Sequence, residues 1–245
     1  MERLKCINSN TLKILAMIFM LVDHMWGTII PENNWMTMIG RLSFPIFAFL
    51  IVEGFTHTSD LKKYLKRLFI FALLSEIPFN LAFTDSIFYP FHQNVMFTLL
   101  LGVLCISEIE KIKNNKNLKT GIFSALKIAL YLSFAMFGFV DYGVIGIFVI
   151  IAFYIFKDFK LAWLGQLISL IMIFIVWFEG QMILVNIFSI ECEFPIQGIG
   201  VLSLIFIWLY NGERGVKNKF IQYAFYAFYP VHLLVLYSIY HLMMI

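Results

Sequence analysis

Cysteine is scarce and badly placed for a covalent scaffold. The three residues Cys6, Cys105 and Cys192 are odd in number and far apart, which excludes a disulfide framework, and no Cys/His spacing points to a metal site. Polar linkers and low-complexity stretches are missing too, so residues 1–245 are expected to form one domain. Convincing internal repeats are absent, which counts against a secondary transporter built from duplicated halves. What fills the chain instead is apolar: 61% of residues are hydrophobic, 18% are aromatic and 28 are phenylalanine. Soluble domains hold roughly 45–50% apolar residues, and the mean hydropathy here is +0.87, so the composition is that of an all-α, polytopic membrane protein. The first apolar run ends in Asp-His-Met-Trp rather than a small-residue cleavage site, and it is expected to be retained as a helix.

A membrane-crossing helix needs about 20 apolar residues. Such runs lie near 12–30, 41–58, 67–84, 93–108, 119–138, 142–157, 161–178, 195–210 and 220–244, which gives about nine spans. A further run, 181–194, is short and carries Glu191 and Glu193. It reads as interfacial or partly inserted, with ten spans as the alternative. All but three of the 18 basic residues fall in alternate connections: Arg3 and Lys5, the 62–67 cluster, Lys111 to Lys119, Lys157 and Lys160, and Arg214 to Lys219. The connections 31–40, 85–92, 139–141 and 179–194 contain none. By the positive-inside rule the amino terminus is cytoplasmic, and nine spans put the carboxyl terminus outside. The exceptions are Lys13, Arg41 and Lys127.

The stretch LKILAMIFMLVDHMW, residues 12–26, places ionisable groups where lipid should be. Intramembrane charge costs a few kcal/mol on insertion scales and is usually kept for function. Lys13 and His24 are 11 residues apart, close to three helical turns, so they share a face and are separated by roughly 16 Å along the axis. Asp23 points about 100° away and needs a partner from another helix. A cation near one rim and an imidazole deep in the same face suit a long ligand with an anionic head. Both also have a plain reading, Lys13 as a rim anchor and His24 as a packed, hydrogen-bonded residue.

Other spans carry polar residues at similar depth. Glu53 and His57 lie one turn apart; Ser75, Glu76 and Asn80 flank Pro78; His92, Gln93 and Asn94 precede one span, and Asp141 and Tyr142 open another. The last span reads FYPVHLL, with Tyr229 three residues before His232 and on its face. Glu53–His57 could be a local pair, Asp141 a helix cap and Arg41 an outer anchor. Taken together, they form a polar cavity from mid-membrane outward.

LKILAMIFMLVDH, GRLSFPIFAFLIVEGFTHT, RLFIFALLSEIPFNLAF, QNVMFTLLLG, DYGVIG and FYPVHLLVL together resemble the TraX family of membrane proteins, which are related to acetylation of a conjugative pilin at its amino terminus. That family is in turn similar to the transmembrane acyltransferases, the acyltransferase family 3 and heparan-type N-acetyltransferases. Lys13 and His24 match the acyltransferase pattern of a basic residue, ten intervening residues and a histidine, with Lys where Arg is also used. YPVHLL around His232 resembles its late-helix motif. The resemblance implies acetyl-CoA supplied from the cytoplasm, His24 as the essential catalytic residue, and a bacterial-type plasma membrane. No appended domain names an acceptor.

On this reading His24 is the general base, or the site of an acetyl-histidine intermediate. A carboxylate is expected to orient its ring, Glu76 first and Asp141 second. Arg41, Asn94, Tyr142, Tyr229 and His232 are candidates to hold the acceptor or the oxyanion, with Asp23 among them. Lys13, Lys127, Lys62 and Lys63 are expected to meet the phosphates of coenzyme A. Membrane lipid and an external peptide amine or glycan hydroxyl complete the expected partners; no metal and no nucleic acid is expected. A transporter or channel with a polar mid-membrane pathway is the rival reading.

Overall fold

Asparagine and aspartate side chains start most of the long helices, because their oxygens satisfy main-chain N–H groups that a first turn leaves free. The computed structural model describes residues 5–178, 180–187, 190–216 and 218–244. Arg3 and Lys217 of the basic connections, and Phe188 and Ser189 of the 181–194 run, lie outside the described residues. Helix α1 (Ser9–Thr28) is capped by Asn8, which accepts from the Thr11 N–H at 3.0 Å. Helix α2 (Asn34–Gly40) breaks at Arg41 and Leu42 before α3 (Ser43–His57). Asp60 caps α4 (Leu61–Thr84), Asn94 caps α5 (Val95–Asn114) and Asn117 caps α6 (Leu118–Phe137). Then follow α7 (Gly143–Phe156) and α8 (Ala162–Ile171), which runs on as a π-helical turn (Met172–Trp177). After a hairpin, a 3₁₀ segment (Ile196–Leu202) leads into α9 (Ser203–Trp208), and Asn218 caps α10 (Lys219–Met243). Pro78 and Pro230 sit inside α4 and α10 without ending either.

The chain is mostly helical, as expected, and differs from the sequence reading in two details. First, 181–194 is not a helical segment: Met182–Ile187 (β1) and Ile190–Pro195 (β2) pair antiparallel, Met182 opposite Pro195. Its β-branched content suits a ladder whose main-chain groups are satisfied across the strands. Second, among the described residues five helices are long and apolar enough to cross a membrane: Ser9–Thr28, Asn34–His57, Leu61–Thr84, Leu118–Phe137 and Phe220–Met243. The expected connection 31–40 is therefore largely helix. Gly143–Phe156, Ala162–Trp177 and Ile196–Trp208 are apolar but shorter, and α5 ends in Glu108, Glu110, Lys111 and Lys113.

The main core joins α1, α3, α4, α5, α7 and α10 around Leu12, Ile46, Leu68, Val103, Ile150 and Leu233. Gly102 lets α5 and α7 touch, since a Cβ there would fall 2.3 Å from Ile150 Cδ1. Helix α6 turns Ile122, Phe123, Leu126 and Phe134 outward, a lipid-type surface. The basic connections gather at one end: Lys113 and Lys157 both lie over the Tyr154 ring, at 4.5 and 5.0 Å. At the other end the chain leading into α5 pairs with that leading into α7, through Gln93 N–H to Phe139 C=O and Asp141 N–H to Gln93 C=O, both 2.9 Å.

Candidate functional site

Two imidazoles from the first and last helices meet in the bundle. His24 Nδ1 is 2.7 Å from His232 Nε2, and the rings stack at 5.0 Å between centroids and 11° between planes. His232 donates from Nδ1 to the Phe228 carbonyl at 2.7 Å, one turn back along α10. Phe228 stacks on the far face of this arrangement, 4.7 Å from the His232 ring, while Phe83 and Tyr229 meet His24 edge-on at 5.4 and 6.1 Å.

The expected carboxylate partner of His24 is replaced by this second histidine. Glu76 Oε2 instead accepts from Asn94, from Nδ2 at 2.5 Å and from N–H at 3.4 Å, tying α4 to the cap of α5. Asn94 also donates to the Ala72 carbonyl at 2.9 Å, so it is a buried helix-joining residue rather than an open acceptor contact. Asp141 faces His92, with Oδ1 3.8 Å from Nε2, and it accepts from the Tyr142 N–H at 3.0 Å. That carboxylate raises the pKa of the His92 imidazole above its ordinary value, against the opposing effect of partial burial. Tyr142 has a left-handed backbone (φ +59°) and stacks on Phe44 at 3.9 Å, a strained turn held by packing.

Asp23 finds its partner on another element, in Arg41. Arg41 Nη2 donates to Asp23 Oδ1 at 3.1 Å and to Thr37 Oγ1 at 2.5 Å, and Nη1 reaches Gln197 Oε1 at 3.4 Å. Gly40 makes the approach possible: a Cβ there would lie 2.2 Å from the Asp23 Cβ. Asp23 thus spends its charge on Arg41 at the cavity wall.

Two cavities flank the site. One, of about 200 Å³, is lined by Asp23, His24, Arg41, His92, Asp141 and Tyr142 among aromatic rings. The other, of about 1030 Å³, opens toward the basic end and is lined by Lys13, Lys63, Arg67, Arg214, Glu53 and Tyr210. Met20, Phe47, Val95 and Leu99 line both, so the cavities stand back to back across an apolar wall. Lys13 and His24 open into different cavities from one helix face. Lys127 does not reach the basic cavity: it lies 3.5 Å from the buried Glu108, which also takes Lys111 at 2.6 Å and Ser124 at 2.8 Å. Lys62 is exposed and outside that lining, whereas Lys63 lines it while pairing with Asp60 at 3.1 Å. Arg67, from the 62–67 cluster expected to meet the phosphates, does line the wide cavity. Sequence reasoning passed over Thr37, Gln197 and Arg214, and for Arg214 its place among the basic residues before the last span was the available signal.

Several long apolar helices with ionised residues turned inward define a helical membrane protein with a buried polar centre. The chain belongs to the TraX family: the family model, described as TraX protein, matches residues 8–240. It is also similar to a probable fimbrial assembly protein FimC, serogroup H1, of Dichelobacter nodosus, 30% identical over 245 residues and covering 93% of each chain. No solved structure matches.

Proposed function

We propose that the protein is a membrane-embedded acetyltransferase that takes acetyl from cytoplasmic acetyl-CoA and delivers it to an acceptor at the opposite face of a bacterial-type plasma membrane. The observation that carries this reading is that His24, paired with His232, lines the smaller cavity, while the wide cavity that shares Met20, Phe47, Val95 and Leu99 with it is lined by Lys13, Arg67 and Arg214. Lys13, Arg67 and Arg214 suit the phosphates of coenzyme A in the wide cavity, whose about 1030 Å³ is of the size that holds large ligands. The smaller cavity suits the end group of an acceptor. The acetyl end of coenzyme A has to pass Met20, Phe47, Val95 and Leu99, the residues both cavities share, to reach His24. Side chains closing that passage favour this reading over a continuous solute pathway.

In the reaction, the acceptor amine or hydroxyl attacks the thioester carbonyl carbon and its proton passes to His24 Nε2. The C–S bond then breaks, and the coenzyme A thiolate leaves with the proton that His24 returns. Arg41 lines the same cavity as His24 and is the cation suited to the oxyanion formed on the way. The fimbrial assembly relative favours a pilin-type peptide amine over a glycan hydroxyl as acceptor. The test uses purified protein in detergent with labelled acetyl-CoA. Binding and release of free coenzyme A are expected, with His24→Ala folded and inserted but silent. Unchanged turnover by that variant sinks the assignment.

A further inference from the structure

We propose that His232 is a positioning residue that dictates which nitrogen of His24 carries the proton. A carbonyl oxygen can only accept, so the 2.7 Å contact of His232 Nδ1 with the Phe228 carbonyl fixes the hydrogen of a neutral His232 on Nδ1. Its Nε2 is then an acceptor. His24 Nδ1, 2.7 Å away, must supply the hydrogen of that second bond. A neutral His24 with its hydrogen on Nδ1 has a lone pair on Nε2, the nitrogen free to act as base. A main-chain oxygen of α10 thereby sets the protonation of a side chain on α1, through one intervening ring.

The usual device for this purpose is a carboxylate behind the base. Here the three nearby acids are engaged elsewhere: Asp23 with Arg41, Glu76 with Asn94, and Asp141 beside His92. A neutral imidazole in the supporting position fixes the tautomer without adding negative charge. The charge His24 gains on taking a proton is therefore shared with a second ring rather than cancelled, which favours rapid return of that proton to a leaving group. Phe228 on one side and Phe83 on the other hold the two rings in register. The kinetic consequence rests on the acyl-transfer reading; the placement of the hydrogen does not.

Ring-¹⁵N-labelled histidine in the full chain, in lipid nanodiscs, reads the placement directly. His24 is one of five histidines, and its signals are identified by their loss in His24→Gln. The wild type is expected to show His24 protonated at Nδ1 and bare at Nε2. His232→Phe keeps a stacked ring but removes the acceptor, and should shift His24 toward the Nε2–H form. His232→Gln offers an amide oxygen to the same Nδ1–H and should restore the wild-type pattern. In turnover with acetyl-CoA, His232→Phe should lower kcat by about 10²- to 10⁴-fold with KM unchanged, and His232→Gln should recover at least roughly tenfold. A wild-type His24 carrying its hydrogen on Nε2, or a His24 signal indifferent to His232→Phe, overturns the proposal. The expected shift without any acetyl-CoA turnover upholds it and removes the acyl-transfer reading instead.

Discussion

Arg41 shows what single residues contribute at this site. Its guanidinium spans α1, α2 and the 3₁₀ segment by touching Asp23, Thr37 and Gln197, a fork that one lysine ammonium cannot reproduce. Arg41→Met leaves Asp23 unpaired and should cost about 3 kcal/mol, with part of the loss recovered in the Asp23→Asn/Arg41→Met double variant; thermal unfolding in detergent measures both. His92 carries a pH signature. Its folded-state pKa is raised by Asp141, so the pair stabilises fully below the ordinary histidine value of about 6.5 and loses that contribution as pH rises through the raised value. The unfolding midpoint should fall across that window in the wild type, and less in His92→Asn. The positions of His24 and His232 were legible in the sequence because depth follows from counting along a helix. Their mutual contact was not, since 208 residues separate them and nothing local encodes which helices are neighbours. The same holds for Asp23, whose need for a partner was legible but whose partner was not, and for Glu76, whose carboxylate was drawn to a helix cap.

Among elements, α6 is the most loosely held. Only Ser124 and Ala135 of that helix are buried, and its polar attachment is the Glu108 cluster reaching from α5 to Ser124 and Lys127. Glu108→Ala should therefore cost about 2 kcal/mol and loosen α6, seen as faster proteolysis in the α5–α6 connection, while transfer by the intact fraction is unchanged. Helices were readable as apolar runs, but α1 and α4 begin earlier than the runs near 12 and 67, at the polar caps Asn8 and Asp60 that hydropathy alone does not mark. The hairpin was not: MILVNIFSIECEFP is as apolar as a short helix, and β-branched content alone does not decide between the two. The helical character of 34–40 was missed because those residues were counted as a connection between apolar runs, although asparagines there serve as well to start a helix.

For the whole molecule, the grouping of basic connections at one end was legible from charge alone, because position relative to the membrane is written into loop composition. The depth and meeting of the two cavities depend on how the helices cross, and that is written in packing. The wall of Met20, Phe47, Val95 and Leu99 has an electrical consequence. Were water to fill both cavities, those four side chains would be what separates the two volumes. Val95→Ser/Leu99→Ser should turn the protein into a proton leak. In liposomes under a potassium diffusion potential, an entrapped pH dye should then report acidification that the wild type does not permit.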